Sequence, residues 1–251
     1  MSTRNPTTAL CHYDASRVFY RDKDLVGDLI GKAGFVEVML AHVLGRAVTP
    51  AEATVVEAIM VAGMEHGFTP SAIAARLTYT GAPESIQGAI AAGLLGAGDQ
   101  FLGAMQGCAE ILARVVSEGE PGCEALVAEY RAAGRQLPGF GHHLHRPDDP
   151  RALALLDLAR STAVAGRHVE AALRLRRVLS AARDRHVTIN AAGATAAILA
   201  DLAVPAAAMR GLAVVARAAG LLAHIVEERM RPTGRFIWDL VDRAVPYSTE
   251  T

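Results

Sequence analysis

The chain has 251 residues, enough for one large domain or two modest ones, either with a sizeable buried core. Its 25 Lys and Arg against 26 Asp and Glu leave a net charge of −1, which argues against general attraction to nucleic acid or to an anionic membrane, so any anionic ligand must be met by local arginines. Three widely spaced cysteines, Cys11, Cys108 and Cys123, form no Cys-x-x-Cys pair and read as reduced thiols, not as a disulfide framework or a zinc finger.

The first residues, MSTRNPTTALCHYDASRVFYRDKD, carry no continuous apolar stretch behind a basic start; no secretory signal is expected, and a cytoplasmic location is. Thr49-Pro50-Ala51-Glu52 predicts a helix start, with Thr as N-cap, Pro at the first helical position and an acid in the first turn, running to about His66 where Gly67 can end it. Thr69-Pro70 opens a second helix by the same logic, and Ser85 caps a third that ends among the glycines Gly93 to Gly98. Helices follow over 101–117 and 124–133, then an irregular stretch from Gly134, then a helix from Arg151 to about Ser161 behind the cap Asp149-Pro150. Further helices are expected over 166–183, 190–202, 206–229 and 235–243. Aromatics are 5% of residues and no run alternates long enough to build a sheet, so the fold class is all-α. The apolar region 187–226 is broken by Asp201, Pro205, Arg210 and Arg217, which makes it a set of packed helices and a poor membrane span.

One loop concentrates chemistry. In LPGFGHHLHRPDDPRA, residues 137–152, imidazoles, guanidinium groups and glycine backbone gather where a small polyanion can be bound, arginine pairing with carboxylate or phosphate and histidine moving a proton near neutral pH. A solvated surface turn is the plainer alternative. A metal site at His142, His143 and His145 is not expected, because the spacing follows no common zinc pattern.

PGFGHHLHRPDDPR resembles the active-site segment of the citrate synthase superfamily, a P-G-[FY]-G-H motif followed by D-P-R, with His142 and Arg151 nine residues apart. Other segments fall in the family's order: Glu65-His66-Gly67, then AAGLLGAGDQFLGAM at 91–105 in the form seen in citryl-CoA lyases, VTINAAGATAAIL at 187–199, AVVARAAGLLAHIVEE at 213–228, and Arg231-Pro232. The resemblance spans about residues 23–240. It implies a large helical domain built from residues 1–100 and 206–251, the first 20 or so forming an arm, and a smaller helical domain from 101–205, with the active site in the cleft between them.

It further implies that His66 and His142 bind the oxaloacetate-like part of a substrate, with His142, at the reacting carbon, taking the first proton from the hydroxyl, and that Arg151 and Arg217 clamp carboxylates. Arg231 would reach across a homodimer, and Pro138, Gly139, Phe140 and Gly141 would approach coenzyme A. His143 and His145 would be bystanders. Two positions depart from the synthases: Asn190 stands where the synthase base is an aspartate, and an amide cannot act as that base; Asp99 stands where synthases have a histidine and would be the remaining acid or base, with Asn190 hydrogen-bonding the enolate. The implied reaction is cleavage of a citryl-CoA-type thioester to oxaloacetate and acetyl-CoA, with coenzyme A entering as part of the substrate and no metal. Alternatives are citrate synthase-like condensation, or a non-catalytic protein of the same fold that binds CoA or a dicarboxylate. The chain carries no GxxxxGK[ST] phosphate loop, so citryl-CoA would be made by a separate ligase.

Overall fold

The computed structural model describes residues 5–248, without the side chains of residues 100 and 101. The chain divides after Glu57 into two compact units; the boundaries near 100 and 205 implied by the resemblance fall inside the second.

In the first unit a three-stranded antiparallel meander, β1 (Cys11–Tyr13), β2 (Val18–Tyr20) and β3 (Lys23–Asp24), pairs Cys11 with Tyr20 and Phe19 with Asp24. Strands of two and three residues are too short for alternation to register, which is why composition alone predicts no sheet. A π-helical turn over Leu25–Leu29 leads to α1 (Phe35–Leu44), closed by Gly45 in the left-handed conformation. Helix α2 (Pro50–Met64) starts as expected: Thr49 Oγ1 accepts the Glu52 N–H at 3.2 Å while the Glu52 carboxylate accepts the Thr49 N–H at 2.8 Å.

The second unit is helical: α3 (Pro70–Gly81), α4 (Ile86–Leu95), the short α5 (Gly98–Leu102), α6 (Ala104–Ala132), α7 (Pro150–Ser161), α8 (Arg167–Ala182), α9 (Ala191–Asp201), α10 (Ala206–Met230) and α11 (Gly234–Ala244). The expected helices over 101–117 and 124–133 meet at a kink in α6, where Gly119 has φ +71° and Pro121 follows. Helix α9 lies at the centre of its layer, packed by α6, α7 and α8, and Gly193 through Leu199 are all buried. Helix α10 packs on α3, α4 and α6. It is long and apolar enough to cross a membrane, but Met209, Leu212, Ala216, Leu221 and Ile225 are spent on the core of this unit.

Small residues set how closely these layers meet. A side chain at Gly139 would place its Cβ 2.5 Å from Cys108 Sγ and 2.8 Å from Gly193 Cα, so the loop after α6 can lie against both α6 and α9 only as glycine, and its φ of +87° demands glycine independently.

Candidate active site

The loop ahead of His142 is tied to the start of α9 as a short two-stranded strip. Gly139 O accepts the Asn190 N–H at 3.0 Å, Gly141 N–H donates to Thr188 O at 2.8 Å, and Phe140 bridges Ile189. Leu137 and Phe140 point into the core. The strip delivers His142 and Asn190 to the same place.

His142 is held by its own loop. Its Nδ1 accepts two backbone N–H groups, from Leu144 and His145, each at 3.0 Å. An Nδ1 that accepts two donors carries no proton, so the neutral ring bears its hydrogen on Nε2. The ring is flanked by His143, stacked at 4.7 Å, and by His145 at 4.4 Å. Partial burial and the neighbouring His145 push the His142 pKa below the usual histidine value, against the opposing pull of Asp149. His143 and His145 therefore touch the ring that matters, which the bystander expectation does not capture.

Arg151 is aimed by Asp149, a residue read from the sequence only as a helix cap. Asp149 is fully buried; its Oδ1 accepts Arg151 N–H and Nε–H at 3.1 Å, and its Oδ2 accepts Arg151 Nη2 at 2.9 Å and Ala191 N–H at 3.0 Å. Burial alone would raise the Asp149 pKa, but the Arg151 and Ala191 donors outweigh it and hold the carboxyl below the ordinary carboxylate range. One carboxylate thus caps α7, orients the guanidinium and fixes the start of α9. None of these bonds uses Arg151 Nη1.

Asn190 is the N-cap of α9. Its Oδ1 accepts Gly193 N–H at 3.1 Å and its Nδ2 donates to Gly141 O at 2.9 Å, so one amide hydrogen remains for a ligand. From the other side, Glu65 accepts the backbone N–H groups of His66 and Gly67 at 2.8 and 2.6 Å and fixes the turn in which Gly67 adopts φ +72°. Partial burial and the positive charges of Arg151 and Arg217 lower the His66 pKa, which keeps its imidazole neutral at pH 7. Arg217, on α10, is half-buried, and among the described residues its buried Nη1 has no hydrogen-bond partner. A buried donor of this kind is costly unless something accepts from it.

These five side chains, His66, His142, Arg151, Asn190 and Arg217, line one cavity of about 320 Å³ whose remaining wall is largely apolar, including Ile59, Leu102, Met105 and Leu199. Glu65 is the only carboxylate among the described lining residues. Asp99 is not among them: its side chain is 89% exposed and pairs with Arg210. Arg231, exposed at the end of α10, lies fourteen residues beyond Arg217, about 21 Å along the axis, and does not line the cavity either. His142, His145 and Asp149 offer ligand atoms within 4.8 Å of one another, but His142 Nδ1 and both Asp149 oxygens are already committed to the bonds above, which leaves a poor donor set for an ion. Pro138, Gly139, Phe140 and Gly141 form the strip itself; Phe140 and Gly141 border a second, open groove of about 1100 Å³ together with Gln136, Arg146, Arg183 and Arg185, and this groove shares His142, His143 and Asn190 with the cavity.

An all-α fold in which two histidines and two arginines converge on one cavity, with a glycine strip bordering the adjoining groove, fits a citrate synthase-like protein. The model of the "Citrate synthase, C-terminal domain" family matches residues 3–237, and the chain belongs to that family. The solved citryl-CoA lyase from Hydrogenobacter thermophilus superposes with a TM-score of 0.88 at 28% identity, covering 99% of this chain and 96% of that one. An ATP citrate lyase from Methanothrix soehngenii, solved with citrate and coenzyme A, gives 0.81 at 21% identity over 99% of this chain and 43% of its own, which shows the fold. "Putative citrate synthase 2" of Mycobacterium tuberculosis is 30% identical over 75% of this chain and 52% of its own length. The chain thus spans about half of that curated relative, and 31% of the ATP-citrate synthase subunit 1 of Sordaria macrospora, to which it is 24% identical over 208 residues, 76% of this chain. These relatives are enzymes of the citrate synthase and citryl-CoA lyase type.

Proposed function

We propose that the chain cleaves a citryl-CoA-type thioester to oxaloacetate and acetyl-CoA. The observation that carries this reading is the convergence of His66, His142, Arg151, Asn190 and Arg217 on one cavity in which a buried arginine nitrogen lacks an acceptor among the described residues. A dicarboxylate end would satisfy Arg217 Nη1 and the unused Arg151 Nη1. The full-length likeness to a citryl-CoA lyase supports cleavage. The groove bordered by Arg146, Arg183 and Arg185 has the charge to receive the phosphates of coenzyme A, and Phe140 and Gly141 of the glycine strip border it.

The tautomer of His142 reassigns the first proton. With Nδ1 occupied, Nε2–H can only donate, so His142 stabilises the developing alkoxide and then the new carbonyl oxygen. His66, neutral and with no side-chain hydrogen bond among those described, takes the hydroxyl proton. The carbon–carbon bond breaks as the carbonyl forms, and the free amide hydrogen of Asn190 supports the thioester enolate oxygen. The products together have the composition of the substrate, so the proton removed from oxygen equals the one the acetyl carbon gains. The imidazolium so formed on His66 gives that proton, directly or through water, to the enolate carbon.

Condensation is the second reading, favoured by the 30% identity to a putative citrate synthase. It needs a base for the acetyl methyl group, and the lining carboxylate Glu65 is already engaged by His66 N–H, Gly67 N–H and His224. A homodimer, in which Arg231 serves the partner's cavity, is part of the same reading; it is supported by the exposed Phe236 and Trp238 on α11, and a separate ligase would supply citryl-CoA.

The test is to incubate the purified protein with citryl-CoA, and separately with oxaloacetate and acetyl-CoA, following oxaloacetate and free thiol. Oxaloacetate without thiol in the first mixture is expected. Thiol release in the second with no turnover in the first would replace cleavage by condensation, and silence in both, with dicarboxylate binding retained, would leave a binding protein.

A further inference from the structure

Behind His66 lies a buried polar chain that the reaction above does not use. Arg76, on α3, has no exposed surface. Its Nε donates to His224 Nδ1 at 2.9 Å, its Nη1 to Glu228 at 2.8 Å and Thr233 Oγ1 at 3.3 Å, and its Nη2 pairs with Glu227. Its guanidinium also lies over the Phe68 ring at 4.8 Å. Glu228, itself buried, accepts the Thr233 and Gly234 N–H groups at 2.7 Å each.

An arginine Nε–H cannot accept, so His224 Nδ1 must, and the His224 hydrogen sits on Nε2. Nε2–H therefore donates to Glu65 Oε1, with 3.0 Å between nitrogen and oxygen. Glu65 in turn holds the backbone N–H groups of His66 and Gly67, and the Phe68 ring stands edge-on to His224 at 6.0 Å. A salt bridge that served stability alone would be complete at Arg76 and Glu228. Here the chain continues through a tautomer-locked imidazole to the turn that carries a cavity histidine.

We infer that His224 is a positioning residue for His66: oriented by Arg76, it anchors Glu65 and through it the His66-Gly67 turn. The inference rests on the reading of His66 as a substrate-contacting group. The same network grips Thr233 and Gly234, two and three residues after Arg231, so the His66 turn and the start of α11 are held by one buried guanidinium.

Substituting Arg76 would strand Glu228 in the core, so the test uses His224. In His224→Asn the shorter amide still offers an acceptor to Arg76 Nε–H but falls short of Glu65, whereas His224→Gln reaches Glu65 with an N–H. Two readouts are taken on folded protein. In spectra of ¹⁵N-histidine-labelled protein, the His66 ring signals move in His224→Asn while those of His142 stay, and the His66 signals return to their wild-type positions in His224→Gln. Citryl-CoA cleavage falls roughly tenfold to a hundredfold in His224→Asn, the scale on which a misplaced catalytic group is felt, and His224→Gln restores most of it. His66 signals that ignore His224→Asn, or an equal loss in both variants, overturn the inference. A wild-type protein without cleavage activity would defeat the lyase reading alone, since the spectra still decide the positioning.

Discussion

The side-chain Nδ2 of Asn190 donates to the carbonyl oxygen of Gly141 at 2.9 Å. This bond explains in physical terms why an amide is useful at this position: Oδ1 caps α9 while Nδ2 ties the glycine strip to it. In Asn190→Asp the cap survives, but a carboxylate oxygen faces a carbonyl oxygen where a donor stood. The expected cost is about 1–3 kcal/mol, the range for a lost hydrogen bond that leaves a polar group unsatisfied. A lower urea midpoint with an unchanged m-value would register it. Stability equal to wild type would mean that the strip does not depend on this bond.

Asp99 offers a sharp separation between motif and geometry. Its place in the Gly-Asp segment implies a catalytic role by resemblance, yet its carboxylate is solvent-facing and paired with Arg210. Asp99→Asn is expected to leave citryl-CoA cleavage within about threefold of wild type, because the carboxylate lies outside the cavity lining and an exposed ion pair is worth only about 0–1 kcal/mol. A loss of two orders of magnitude in kcat would show that Asp99 enters the cavity during turnover.

Much of the fold is written in local chemistry that acts over a few residues. Thr49-Pro50, Thr69-Pro70 and Asp149-Pro150 start helices because cap and proline geometry are set by neighbours in sequence, and Gly119 with Pro121 marks the kink in α6 for the same reason. Helix α1 has no side-chain oxygen at its N-cap Gly34, and the strands are two or three residues long, so neither leaves a local signal. The site divides similarly. His66, His142, Arg151, Asn190 and Arg217 sit in motifs whose spacing is legible. The grip of Asp149 on both Arg151 and Ala191, the occupied Nδ1 of His142 and the chain through Arg76 and His224 are contacts between segments up to 159 residues apart, and no spacing rule encodes them.

Asp149 links the site to stability. Its folded pKa lies below the unfolded value of about 4, so its contribution is fully present above that value and is lost as pH falls through the lower folded pKa. Asp149→Asn keeps the shape but removes the charge that Arg151 pairs with. At pH 7 it is expected to cost roughly 3–5 kcal/mol, as for breaking a buried pair. The gap between variant and wild type narrows below about pH 4, where the unfolded chain takes up the proton first, and levels off once the native carboxylate is protonated too. Urea denaturation at several pH values measures both, and a gap independent of pH would assign the effect to lost packing instead.

His66 gives the last test, in the pH profile. Partial burial and the charges of Arg151 and Arg217 hold its pKa below the ordinary value near 6.5. In the proposed reaction the neutral imidazole takes the hydroxyl proton, so kcat/KM stays level through neutral pH and falls only in acid, at a pH below about 6.5. Stability moves the same way: the unfolded chain binds the proton first, so lowering the pH through 6.5 favours unfolding until the folded ring protonates as well. His66→Gln removes that acid limb and lowers the plateau about a hundredfold, within the range for losing a general base. Arg217→Met, by withdrawing one of the two charges, moves the limb toward higher pH while raising KM. A limb that stays in place in Arg217→Met, or persists in His66→Gln, would assign the titration to another group, with His142 the next to examine.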